Sequence, residues 1–269
     1  MESKQSIIWS AALSALVLGA GVAQGDTFGL TGIVRDFNYN GTTGGQIDFE
    51  NAIGDDRGIV TSTLGTDGKP VYDTASHPSS TVTTHGPTAF NQWYRDTPGV
   101  NQSTQFGITL DNGQTAPGGV YTFASNSFFP IDNQLFGNQG AAHNYSFTYE
   151  LHGTFQYGGG HQTLSFTGDD DVWIYINGQR VIDLGGVHPA ESASYDLINS
   201  GLTSGGNYDI AIFFTERHTI SSDFTLQTTF KVDSYLLPVP EAGTLAPVAG
   251  IAGLVGFSIW RRRAAKTRV

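Results

Sequence analysis

No stretch of this chain keeps a 3.6-residue apolar period for long. Short alternating or continuous apolar runs follow one another instead, each cut off by Gly, Asn or Pro. The runs "FGLTGIVRDF", "GIVTSTLG", "STQFGITL", "YSFTYELHGTFQY", "QTLSF", "VWIYI", "QRVIDL", "YDIAIFF" and "DFTLQTTFKV" all read as strands. The segment 74–87, rich in Ser, Thr, His and Pro, reads as a long loop, and "AFNQWYRDTPGVNQS" holds a helical turn before Pro98. So many short strands without helices between them predict an all-β fold, an antiparallel β-sandwich or barrel with long loops. Aromatic residues are 12% of the chain, enough to fill a core.

The sharpest local signal is "FTGDDDVWIYINGQRVIDLGG", residues 166–186. Asn177-Gly178 between two apolar runs predicts a two-residue hairpin turn. That turn sets Ile176 opposite Gln179, Tyr175 opposite Arg180, Ile174 opposite Val181, Trp173 opposite Ile182 and Val172 opposite Asp183. Opposed residues share a face. Extended outward, this register puts Asp170 on the face of Asp183, with Asp169 and Asp171 pointing the other way. Three adjacent carboxylates repel unless something offsets them. A Ca²⁺ ion held by Asp169, Asp170, Asp171 and Asp183 would do so, because hard cations gather several oxygen ligands. A solvated acidic turn and a carboxylate pair for glycoside hydrolysis are the competing readings. His188, Glu216 and His218 are candidates for the rim of the same site, with Arg217 expected to pair with an acidic residue.

Both ends differ from the middle. Residues 7–22 are apolar or small and follow Lys4; Gly21-Val22-Ala23 and Ala23-Gln24-Gly25 place small residues where signal peptidase cuts. Residues 1–25 thus read as a signal helix for export. Val239-Pro240-Glu241 is followed by an uncharged run, 245–260, and a basic tail containing Arg261, Arg262 and Arg263. As a helix, such a run is ~24 Å long at 1.5 Å per residue, against a hydrocarbon thickness of about 30 Å. It is a short transmembrane helix whose basic end stays cytoplasmic. The expected organisation is a signal peptide (1–25), a β domain (27–233), a linker with the Val-Pro-Glu motif (234–243) and a membrane helix with its basic tail (244–269).

Charge narrows the function. Between Asp26 and Glu241 lie 23 acidic side chains and 7 basic ones, a net of −16. Nucleic-acid binding calls for the opposite sign. There is no Cys, so neither a disulfide nor a Cys nucleophile is available. The chain has no His-Glu-x-x-His and no Gly-x-Ser-x-Gly, and Gly158-Gly159-Gly160 lacks the Lys of a phosphate loop. Trp93, Tyr94 and Trp173 could form a sugar platform or belong to the core. His77 and His85 fall in the polar loop.

Two resemblances add to this. The order of Val-Pro-Glu motif, apolar helix and Arg cluster resembles the PEP-CTERM sorting signal of exported bacterial proteins, with Ala242 where that family has a second Pro. It implies an exosortase-type processing partner and transient inner-membrane anchoring. The stretch "FTGDDDVWIYINGQRVIDLGGVHPA" resembles the fibro-slime domain, as do "VRDF" (34–37), "DFE" (48–50), "LGTDGKPVY" (64–72), "FNQWYRDTPGVN" (90–101), "FFPID" (128–132), "HNYSFTYEL" (143–151) and "FFTERHTISSDFTLQT" (213–228). That domain is similar to the β-barrel module of anthrax protective antigen and of yeast flocculins. In lectins of that wider group, adjacent aspartates hold Ca²⁺ and the ion helps hold a sugar. The resemblance therefore implies Asp170 with one neighbour as the lectin-like pair. The chain is expected to be an exported, non-enzymatic cell-surface or matrix protein whose β domain binds Ca²⁺ and extracellular polysaccharide. A purely structural matrix protein and a carbohydrate-active enzyme are the alternatives.

Overall fold

The computed structural model describes residues 25–39, 42–50, 53–113 and 119–238. The signal segment, Val239-Pro240-Glu241, the apolar run and the basic tail lie outside them. No described helix is long and apolar enough to cross a membrane.

The described chain is all-β. Its strands are β1 (Thr27–Phe37), β2 (Gly54–Asp55), β3 (Asn101–Asp111), β4 (Tyr121–Ser125), β5 (Phe147–Gln156), β6 (Thr163–Gly168), β7 (Asp171–Ile176), β8 (Gln179–Leu184), β9 (Gly186–Val187), β10 (Glu191–Asp196), β11 (Asn207–Glu216), β12 (Phe224–Thr228) and β13 (Asp233–Tyr235). One short helix, α1 (Pro87–Phe90), opens the segment in which a helical turn was expected. Eleven strands form one antiparallel sheet in the order β10-β6-β12-β4-β3-β1-β5-β11-β7-β8, with β13 also on β5. The sheet curls until its edges, β10 and β8, come near each other, giving a nearly closed barrel. Strands β2 and β9 pair separately.

The period-two alternation shows why β7 looks uniformly apolar. Val172, Ile174 and Ile176 face the barrel interior, among Leu30, Leu151, Phe166 and Phe214. Trp173 and Tyr175 face outward, where Phe49, Ile59, Tyr72, Phe90, Trp93 and Tyr94 cover them. Both faces of the sheet are dry here, so every residue of the strand is buried. Trp93, Tyr94 and Trp173 are fully buried. They belong to this outer core and form no sugar platform.

The structure departs from the expected elements in identifiable ways. "GIVTSTLG" makes only isolated bridges, Val60 to Tyr72 and Thr63 to Gln179. It lies across the outer face as a cover rather than within the sheet. Strands β4 and β10 were not expected; both sequences, "YTFAS" and "ESASYD", are short, and the second is largely polar.

Arg57 clasps the barrel seam. Its guanidinium donates to the Asp183 carbonyl on β8 (3.1 Å) and pairs with Glu191 on β10. The outer edge of β8 is further occupied by the Arg180 N–H donating to the Ser62 carbonyl at 2.8 Å.

Phe128 is the hub of the interior. Its ring meets Phe224 at 4.5 Å, Tyr149 at 5.7 Å, Phe214 at 5.8 Å and Phe106 at 5.9 Å between centroids. Truncating it leaves a cavity that four strands border. Phe128→Ala is expected to cost about 3–5 kcal/mol, read as a lowered urea midpoint at unchanged slope.

Candidate functional site

The Asn177-Gly178 turn forms as expected, with φ of 48° and 75°. The expected register holds for Ile176 with Gln179 and Tyr175 with Arg180, and then fails. A bulge between Ile174 and Tyr175 leaves Val181 unopposed, so Ile174 faces Ile182, Trp173 faces Asp183 and Val172 faces Leu184. This one-residue shift carries Asp183 to the outer face. There its carboxylate accepts from the Trp173 indole (3.0 Å) and the Gly58 amide (2.9 Å), and pairs with Arg180 at 2.9 Å. The expected convergence of Asp170 with Asp183 is therefore corrected: Asp183 braces the outer core.

The three adjacent aspartates divide their work. Asp171 is fully buried and forms a two-pronged ion pair with Arg217, Nε to Oδ2 at 2.7 Å and Nη2 to Oδ1 at 3.1 Å. Its Oδ1 also accepts from the Gly186 amide at 2.7 Å. Gly186 is required there: at φ 130°, an added Cβ would lie 2.4 Å from the Gly54 carbonyl oxygen. Arg217 is itself fully buried, donates to the Thr83 hydroxyl (2.9 Å) and the Asp48 carbonyl (3.2 Å), and lies 4.7 Å over the Trp93 ring. The expected pairing of Arg217 with an acidic residue is present, and it commits Asp171 to structure.

Asp169 and Asp170 are joined by a cis peptide and both are buried, at 4% exposure each. Both line a cavity of about 190 Å³ with Val187, His188, His218 and Ser221. Asp169 accepts from the Ser221 hydroxyl at 2.6 Å and from the Asp223 amide. Asp170 accepts from the Arg217 amide at 3.1 Å. His188 Nδ1 is held 2.9 Å from the Pro189 carbonyl oxygen. The expectation that Asp169 points away from Asp170 is thus also corrected, while His188 and His218 do share the rim foreseen for them.

Glu216, expected on the same rim, does not line the cavity and lies buried behind the pair. Its Oε2 has no hydrogen-bond partner. The Ser222 hydroxyl is near enough to ease its charge, yet no hydrogen bond of sound geometry joins them. Burial pushes the Glu216 carboxyl well above the ordinary carboxylate range, and repulsion from Asp170 and Asp169 adds to the rise. Burial likewise raises Asp170, against the pull of Arg217. Both shifts disfavour the charged form of the two carboxyls. Among the described residues, no three His, Asp or Glu side chains converge tightly enough to make a cation site by themselves.

This geometry falls within a recognised module. Residues 132–236, which include all three aspartates and Glu216, match the model of the PA14 domain. The chain is 38% identical over 214 residues to protein psiR of Dictyostelium discoideum, covering 73% of this chain and 21% of psiR. It is 39% identical over 189 residues to protein psiQ of the same organism, covering 65% of this chain and 19% of psiQ. The chain thus spans about a fifth of the length of these relatives. Among solved structures, the PA14 domain of the MpAFP antifreeze protein aligns at 15% identity with a TM-score of 0.30, over 46% of this chain and 78% of that one. A likeness at that level carries no functional argument.

Two outcomes test the division of labour. Replacing Arg217 by Ala strands Asp171 as an unpaired buried charge and should cost about 3–5 kcal/mol, seen as a lowered unfolding midpoint. Glu216→Gln should instead stabilise the ion-free protein at neutral pH. Its raised folded-state pKa favours the native state in acid, and that advantage is lost as pH rises above the unfolded value of 4.5. The gain from Glu216→Gln should accordingly shrink as pH is lowered toward 4.5 in thermal melts run with EDTA.

Proposed function

We propose that this chain is a non-enzymatic carbohydrate-binding domain of adhesion or matrix type, in which Asp169 and Asp170 hold a Ca²⁺ ion. The observation that carries this reading is the unpartnered, buried Glu216 oxygen behind two carboxylates that face an open cavity. Three acidic groups in so dry a place repel one another, and a divalent cation both cancels that repulsion and uses the open oxygens. Ca²⁺ takes six to eight oxygen ligands. Two carboxylates leave places for backbone carbonyls, water and the hydroxyls of a sugar. The match of residues 132–236 to the PA14 model supports the same reading, as does the resemblance to lectins with adjacent Ca²⁺-binding aspartates.

The surroundings suit binding better than catalysis. Asp171 is committed to Arg217, and Asp169 and Asp170 face one side of the cavity together rather than flanking a bond from opposite sides. Export with processing of the C-terminal segment by an exosortase-type enzyme, followed by display at the cell surface or in the matrix, is part of the proposal and rests on the sequence signals alone.

Titration calorimetry with CaCl₂ on the purified, EDTA-treated protein tests the ion. At 100 times its Kd, Ca²⁺ should raise stability by about 2.7 kcal/mol, and Asp170→Asn should abolish that rise. No heat of binding and no shift in melting temperature would leave a purely structural matrix protein. Reducing ends released from a polysaccharide panel would overturn the non-enzymatic reading.

A further inference from the structure

The carboxylate cavity has a larger neighbour. A groove of about 490 Å³ lies beside it, lined by Tyr39, Glu50, Asn138, Gln139, His143 and Tyr145 on its walls and Thr219 at one edge. Consecutive residues of one segment divide the two hollows: Thr219 lines the groove, while Ile220 and Ser221 line the carboxylate cavity. Glu50 also lines the groove and Ile53 the cavity. Glu50 accepts from the Thr219 amide.

The groove is pre-formed. His143 stacks on Phe129 with ring centroids 3.9 Å apart and planes 4° from parallel. Its Nδ1 is held 2.6 Å from Asp132 Oδ2. Tyr145 packs edge-on against Phe129 at 5.0 Å. Gln139 is locked by its side chain, which accepts from the Tyr39 amide (3.0 Å) and donates to the Phe37 carbonyl (2.8 Å). Tyr39 and Tyr145 are half-buried, and both contribute to the lining. Aromatic rings with one apolar face and one wet end suit sugar rings, which present C–H faces and hydroxyl edges.

Size decides how the two spaces divide a ligand. Small-molecule sites run from roughly 300 to 1,000 Å³. The carboxylate cavity, at about 190 Å³, falls below that range, and the groove, at about 490 Å³, falls within it. We propose that the ligand is an oligosaccharide of at least two units that crosses the ridge at Thr219–Ser221. One unit sits over Asp169 and Asp170, and the next lies against Tyr145 and Tyr39. This rests on the carbohydrate reading above and adds a second subsite to it.

The test is calorimetry on the purified protein with saturating Ca²⁺. The probes are glucose, galactose and mannose, each as the monosaccharide and as its di- and tetrasaccharide. For the sugar that binds, the disaccharide should bind about tenfold more tightly than the monosaccharide, equivalent to about 1.4 kcal/mol. Tyr145→Ala and, separately, Tyr39→Ala should remove that gain while leaving monosaccharide affinity unchanged, which also reports that each variant is folded. If Tyr145→Ala proves unstable, Tyr39→Ala decides. A monosaccharide that binds with no gain on lengthening, or a gain that survives both substitutions, would overturn the second subsite alone. Absence of binding by every probe would overturn the carbohydrate reading and the subsite with it.

Discussion

The site depends on a guanidinium that never reaches solvent. Arg217 gathers the Asp171 carboxylate, the Thr83 hydroxyl, the Asp48 carbonyl and the face of Trp93 around one buried charge. Two fully desolvated ions are costly to bury, and only a two-pronged geometry with the remaining donors satisfied offsets that cost. The pair joins three parts of the chain that are far apart in sequence: the start of β7, the end of β11 and the cover segment around residues 48–83. It thereby commits the third aspartate as an anchor and leaves the first two, themselves buried, to line the cavity.

Two acidic neighbours of that guanidinium meet opposite fates. Asp171 has its compensating charge; Glu216, one position before Arg217, has none. Alternation along β11 sends Glu216 and Arg217 to different surroundings. Glu216 meets Asp169 and Asp170, and burial holds its carboxyl toward the neutral form. Asp170 is likewise held toward its neutral form by burial, so the carboxyls disfavour one another's charge.

Much of the fold could be read from residue pattern. The strand-rich architecture, the Asn177-Gly178 turn and the central runs of β5, β7 and β11 all show in the spacing of apolar residues. The bulge at Val181 does not, since a one-residue insertion leaves the composition of the hairpin unchanged while reversing the side to which Asp183 points. Strands β4 and β10 escaped because "YTFAS" is only five residues long and "ESASYD" is largely polar, so neither stands out as an apolar run. The acidic run was visible as a cluster, and His188, Glu216 and His218 were recognisable as its companions. The groove at Tyr39 and Tyr145 was not, because its walls come from loops about a hundred residues apart and no local pattern announces their meeting.

The clasp at the seam has a consequence beyond closing the barrel. Arg57 and its partners are largely exposed, so their ion pairs add little to stability. Their effect is on encounter: the carbonyl of Asp183 and the amide of Arg180 are already occupied, and β8 offers no free row of backbone groups to a passing strand. An exposed sheet edge is a template on which another chain can pair, and along β8 part of that template is taken up by the protein's own cover segment.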